Sequence, residues 1–142
     1  MRDYQGLATR AIAFAVDAAI INLIALLVGV GVGLALSILS VSNTAETVLL
    51  ACGAGAFAVW TVAYFAVFWS TTGQTPGNRL MRIRVCTDDG AVLSLRRSLL
   101  RFAALVLAAL PLLAGFLPVL VDDRRRGLHD MLAGTVVVGP GA

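Results

Sequence analysis

RAIAFAVDAAIINLIALLVGVGVGLALSIL, residues 10–39, is the stretch on which the fold turns. It carries two charges, Arg10 and Asp17, and its only other polar side chains are Asn22 and Ser37. A helix needs about 20 residues to cross a hydrocarbon core of about 30 Å. The apolar run from Leu7 or Ala11 to Leu39 therefore crosses with tilt. An arginine ahead of an apolar run also marks a secretory signal, but the core of such a signal is about 7–15 residues long and does not normally carry an acid. The stretch reads as a retained span. Asp17 lies six residues past Ala11, which at about 1.5 Å per residue is roughly 9 Å deep. A carboxylate there costs at least about 2.5–3.5 kcal/mol on insertion scales. It must find a partner, hold a proton or face water. Arg10, two turns earlier, shares its helix face, but helical side chains lean toward the N-terminus. A direct Arg10–Asp17 pair is therefore not expected, and both residues should meet partners from the basic loop or the third apolar segment.

Outward from this stretch, a second apolar run covers Val48–Trp69, and its far end holds Trp60, Tyr64, Phe65, Phe68 and Trp69. Amphipathic aromatics collect at lipid–water boundaries. The connection 40–47 has one Glu and no basic residue, whereas 70–101 carries Arg79, Arg82, Arg84, Arg96, Arg97 and Arg101. By the positive-inside rule the short connection is external, and the N-terminus and basic loop are cytoplasmic. A third apolar run, Phe102–Val121, is broken by Pro111, Gly115 and Pro118. Proline removes a backbone donor and obstructs a helix. A single crossing would put Asp122-Asp123-Arg124-Arg125-Arg126 outside, so a re-entrant path is favoured. Met81–Cys86 alternates as a strand does, Asp89-Gly90 is a hairpin-turn dipeptide, and Thr135–Val138 is a β-branched run. These pair as a ribbon if they share one side of the membrane. The fold class is then an all-α membrane protein with spans near 11–39 and 48–69, a broken third segment near 102–121, a cytoplasmic loop 70–101, a cytoplasmic tail 122–142 and a small cytoplasmic β-ribbon. Ala25, Gly29 and Gly33 on the first span and Ala51 and Gly55 on the second recur every four residues, a spacing that lets helices approach closely in lipid. A gating hinge at residues 29–33 is the lesser reading of those glycines.

The composition agrees. Of 142 residues, 59% are apolar and 13% charged, against about 45–50% and 25% in soluble domains, and mean hydropathy is +0.91. Two-domain enzymes, disordered chains and disulfide scaffolds are set aside. The basic residues are eleven arginines and no lysine, giving a net charge of +3. They flank apolar runs instead of lining one polar face, so no nucleic-acid partner is expected. Cys52 and Cys86 lie in different environments and have no metal or redox spacing.

Two polar segments remain. Residues 70–79, STTGQTPGNR, lack the ending of a phosphate loop and read as a tight turn leaving the membrane. In the segment 122–130, a lone His129 beside Asp130 would suit a pH-responsive pair, but a solvated interfacial side chain is the plainer expectation. No nucleophile–base set or metal cluster is present, so no enzyme and no cofactor is expected.

Arg10 at the start of the first span, Asp17 within it, the stretch 72–85 (TGQTPGNRLMRIRV) and the ending 128–138 (LHDMLAGTVVV) together resemble the RDD family of small bacterial membrane proteins. The resemblance implies Arg10 as the family arginine, Asp17 as its first aspartate and Asp130 as its second, with Asp123 the lesser candidate. Asn78-Arg79 stands where the family has Gly-Lys. The resemblance also implies transport of an ion or small ligand, with cation/proton antiport assigned to some members; three segments cannot easily enclose a pathway, so transport would require a homo-oligomer. Asp17 would respond to a proton or monovalent cation, with Arg10 as its electrostatic modulator and Asp130 at the cytoplasmic mouth, and His129 and Arg101 are further candidate functional residues. The alternative is a non-transporting scaffold in the lipid bilayer whose arginines bind anionic lipid or a protein partner.

Overall fold

The computed structural model describes residues 4–39, 42–110 and 114–139. Helix α1 is Leu7–Leu39, 33 residues, and α2 is Asn43–Thr71, 29 residues. At about 1.5 Å per residue they run about 50 and 44 Å. Both are long and apolar enough to cross a membrane. Ser42 caps α2 by accepting from the Ala45 amide, and Glu46 in the first turn complements the helix dipole. The chain continues through α3 (Pro76–Leu80), β1 (Arg84–Thr87), α4 (Leu95–Ala109), a 3-10 helix (Ala114–Leu120), α5 (Leu128–Ala133) and β2 (Thr135–Val138).

The ribbon joins remote segments. β1 and β2 are antiparallel, with Arg84 opposite Val138 and Thr87 opposite Thr135. Tyr4 bridges Val138 on the far side, and the Gln5 amide donates to the Val137 carbonyl at 3.0 Å. Side chains alternate across a strand. Val85 and Val137 thus join a core with Ala13, Ile21, Phe65, Trp69 and Leu93, while Cys86, Val136 and Val138 pack under Tyr4. The strand begins later than the alternation from Met81 implies. Met81 and Arg82 form a turn, with Arg82 left-handed at φ 54°, and the Ile83 amide bonds back to the Asn78 carbonyl at 2.9 Å. Asp89-Gly90 does turn, Gly90 adopting φ 88°, but it leads into α4 and not into a second strand.

The aromatic end of α2 corrects an expectation. Tyr64, Phe65 and Trp69 are core residues, not a belt at a lipid boundary. Phe65 sits among Phe14, Trp69 and Phe102 at ring-centroid distances of 5.8, 5.1 and 5.7 Å. The reason is that α4, β1 and β2 pack around that end of the helix, while Trp60, further along, stays 42% exposed. At the other end the spans separate. A Cβ built on Gly29, Gly31, Gly33, Gly53 or Gly55 would meet nothing within 4 Å. Between them lies an apolar wedge of about 1010 Å³ lined by Ala25, Gly29 and Gly33 from α1 and by Gly53 and Phe57 from α2. The small-residue stripes therefore do not pack α1 against α2 within the chain.

The third apolar run also differs from expectation. Its helix starts at Leu95, inside the stretch read as loop, because Ser94 caps it by accepting from the Arg97 amide at 3.3 Å. The helix ends at Ala109, and Pro111 lies outside the described residues. Gly115 then lies against Ala108, so close that a Cβ on it would be 2.5 Å from the Ala108 Cβ. A continuous helix would set residues seven apart at about 10 Å, so the chain doubles back on α4. Arg124 beyond the run bonds Asp88 before it at 3.2 Å.

Candidate functional site

The buried residues of α1 are Arg10, Ala13, Asp17 and Ile21. Spacings of three and four residues place them on one helix face, and that face meets everything the chain folds back onto it.

Asp17 is 1% exposed and is held by neutral donors. Its Oδ1 accepts from the Tyr64 hydroxyl at 2.9 Å and from the Gly77 amide at 2.8 Å, and its Oδ2 accepts from the Thr75 hydroxyl at 2.5 Å. The sequence Thr75-Pro76-Gly77-Asn78 explains the geometry. Thr75 Oγ1 accepts from the Asn78 amide at 3.2 Å as the N-cap of α3, and proline suits the first helical position, where its missing N–H is not needed. Gly77 is required by contact. A Cβ there would lie 2.1 Å from the Ala13 carbonyl oxygen and 2.9 Å from the Asp17 carboxyl carbon. The segment read as a turn leaving the membrane is therefore a short helix docked back onto α1. The expectation that Asp17 finds its partner in the basic loop holds for Thr75 and Gly77. Tyr64 was missed. Its signal was a phenol among the aromatics of an apolar span.

Asp130 is fully buried, at 0% exposure. Its Oδ2 accepts from Arg10 Nη1 and from the Gly127 amide at 3.0 Å, and its Oδ1 accepts from Arg101 Nη1. Asp130 thus caps α5 and pairs with two guanidiniums. Arg101 Nη1 also donates to the Thr135 hydroxyl at the start of β2, and the guanidinium lies 4.9 Å from the Trp69 ring centroid. Arg10 uses its remaining donors on backbone: Nε to the Gln5 carbonyl at 3.1 Å and Nη2 to the Arg125 carbonyl at 2.7 Å. Arg125 is left-handed at φ 50°, a conformation unusual for a side-chain-bearing residue. Burial pushes the Asp130 carboxyl up, but Arg101 and Arg10 outweigh it and hold the group well below the usual carboxylate range. Arg10 and Asp17 form no pair, as the lean of helical side chains implies. Arg10 finds its acid in the tail, however, and not in the basic loop or the third segment.

His129 corrects the expectation of a solvated side chain. It is 1% exposed, 5.1 Å from Phe116 between ring centroids and 3.6 Å from Asp130 Oδ1. Its burial follows from α5 packing on α4 and the 3-10 helix. Burial pushes its pKa down to about 4, against the pull of Asp130. Asp123 is exposed and takes no part. Its neighbour Asp122 instead holds Arg126, accepting at 3.1 Å from both Nε and Nη2. Arg10, Asp17, Arg101, His129 and Asp130 therefore gather at one end of the molecule, and Asp123 does not join them. Among the described residues no group of His, Cys, Asp and Glu is placed to hold a metal ion.

A profile of the RDD family matches residues 4–134. No curated protein and no solved structure matches the chain.

Proposed function

Because the chain belongs to the RDD family, a family of membrane proteins, we propose that it is a membrane-embedded scaffold whose buried polar cluster is an assembly lock. The lock holds an arginine-bearing face against the cytoplasmic leaflet. One observation carries this reading. Each hydrogen bond to the Asp17 and Asp130 carboxylates from a side chain, Thr135 apart, ties together segments distant in sequence, with Asp17 joining α1 to α2 and α3, and Asp130 joining α5 to α1 and α4. Each oxygen of both carboxylates accepts from at least one protein donor, so each acid serves first as a tie between segments. On this reading α1 and α2 cross the bacterial inner membrane with the N-terminus cytoplasmic, and the third run enters and returns. The arginine distribution and the Arg124–Asp88 contact at 3.2 Å support that topology. The partner is the lipid bilayer itself, through the exposed Arg79, Arg82, Arg96 and Arg97.

Transport is the second reading, and the open wedge between the outer halves of α1 and α2 favours it. Two spans cannot enclose a pathway, so a homo-oligomer would have to close the wedge around a proton or monovalent cation. Asp17→Asn separates the two. The scaffold reading expects a less stable protein and no cation- or proton-flux in proteoliposomes from either form. If the unaltered protein conducts, and Asp17→Asn abolishes flux while the fold and its stability persist, the scaffold reading fails.

A further inference from the structure

Between the Asp17 and Asp130 clusters lies a cavity of about 10 Å³, walled by side chains that include Arg10, Asp17, Trp69, Thr75, Asn78 and Arg101. A cavity needs roughly 10–15 Å³ to admit one water, which then takes about three hydrogen bonds from polar walls. Three such positions stand unfilled on the lining residues. Trp69 Nε1 and Arg101 Nε are buried N–H donors with no partner among the described residues. Asp17 Oδ2 accepts one hydrogen bond, from Thr75, where a carboxylate oxygen has room for two. Leaving a buried donor unsatisfied costs about 1–3 kcal/mol, so two orphans on residues lining one cavity are strong grounds for a ligand.

We propose that this cavity is a binding site for a single structural water, which accepts from Trp69 Nε1 and Arg101 Nε and donates to Asp17 Oδ2. The chemistry of the walls selects water over an ion. Arg10 and Arg101 repel a cation, and their charge is already balanced by the carboxylates of Asp17 and Asp130, which leaves none for an anion. The water joins the two locks into one network, so that the α1–α3 contact and the α4–α5 contact are strengthened together.

The two tryptophans make the site directly observable. In isotope-labelled protein held in lipid nanodiscs, Trp60→Phe assigns the remaining indole N–H resonance to Trp69. That resonance should show a direct cross-peak to a long-lived water. Val137, which lines the cavity and is 2% exposed, supplies the control, because Val137→Ile adds one methylene where the water sits. The cross-peak should be lost in that variant while the Trp69 resonance itself persists. Absence of the cross-peak in the folded parent overturns the proposal. So does a cross-peak that survives Val137→Ile undiminished, since exchange through the Thr75 hydroxyl, which Val137→Ile leaves in place, would then account for it.

Discussion

Without the carboxylate of Asp130, the guanidiniums of Arg10 and Arg101 would remain buried, at 5% and 2% exposure, with no counter-charge. Breaking a buried pair on one side costs about 3–5 kcal/mol, a large share of a small protein's total stability. Asp130→Asn should therefore lower thermal stability in mild detergent by at least that order. Asp123→Asn, at an exposed site, should stay within about 0.5 kcal/mol of the parent. His129 adds a pH dependence. Its pKa is near 6.5 in an unfolded chain and about 4 in the fold, so between those values the unfolded state binds more protons. Its contribution is complete above pH 6.5 and disappears as pH falls toward 4, by roughly 3 kcal/mol at about 1.4 kcal/mol per pKa unit. Asp130 titrates below this window. Melting temperatures measured across that range should fall with acid in the parent and flatten in His129→Phe. Asp17 was legible in the sequence as a charge placed where charge is expensive, and Arg10 as the charge on its helix face, whereas Asp130 stood out only through the family resemblance. Tyr64, Thr75 and Gly77 were not legible, because a hydroxyl or a glycine beside an apolar run looks the same whether it binds a carboxylate or faces solvent.

At the scale of elements, α3 depends on Gly77. Inserting a methyl group 2.1 Å from the Ala13 carbonyl oxygen pushes the helix off α1, and overpacking of this kind costs about 1–3 kcal/mol. Gly77→Ala should also withdraw two of the three donors to Asp17. Limited proteolysis should then cut between residues 70 and 85 in the variant under conditions where the parent resists. The third apolar run is the element the sequence described least well. Its prolines announced a break, but whether a broken run crosses or returns depends on which remote groups receive its ends. A contact such as Arg124–Asp88 leaves no local pattern in the sequence. Single cysteines at Asp88→Cys and Arg124→Cys, in a chain lacking Cys52 and Cys86, test the return directly. Those two side chains are 53% and 49% exposed, so their ion pair adds little stability and its loss should be tolerated. Both cysteines should react with a membrane-impermeant maleimide from the same side. A run that crosses would label them from opposite sides.

Taken whole, the molecule has a bare apolar end and a knotted polar one. The two long apolar helices and the pairing of Thr135–Val138 with the strand inside the basic loop were legible, because each follows from length or period in a local window. The collapse of the basic loop, the third run and the tail onto α1 was not, because it is made by hydrogen bonds between residues as far apart as Arg10 and Asp130. That collapse has an electrostatic consequence. Residues 79–126 outside the lock hold eight arginines, Arg101 excluded, against four aspartates, and the fold gathers them at one end. An anionic leaflet attracts such residues by about 1 kcal/mol each near the surface, within a Debye length of about 8 Å at physiological salt. The protein should therefore unfold at higher temperature in nanodiscs of phosphatidylglycerol than in phosphatidylcholine. The difference should shrink as salt is raised, and it should fall further when the exposed Arg82, Arg96 and Arg97 are changed together to Gln. Equal stability in the two lipids would mean that the arginine end serves topology alone and does not dock on the leaflet, and the lipid partner of the scaffold reading would have to be given up.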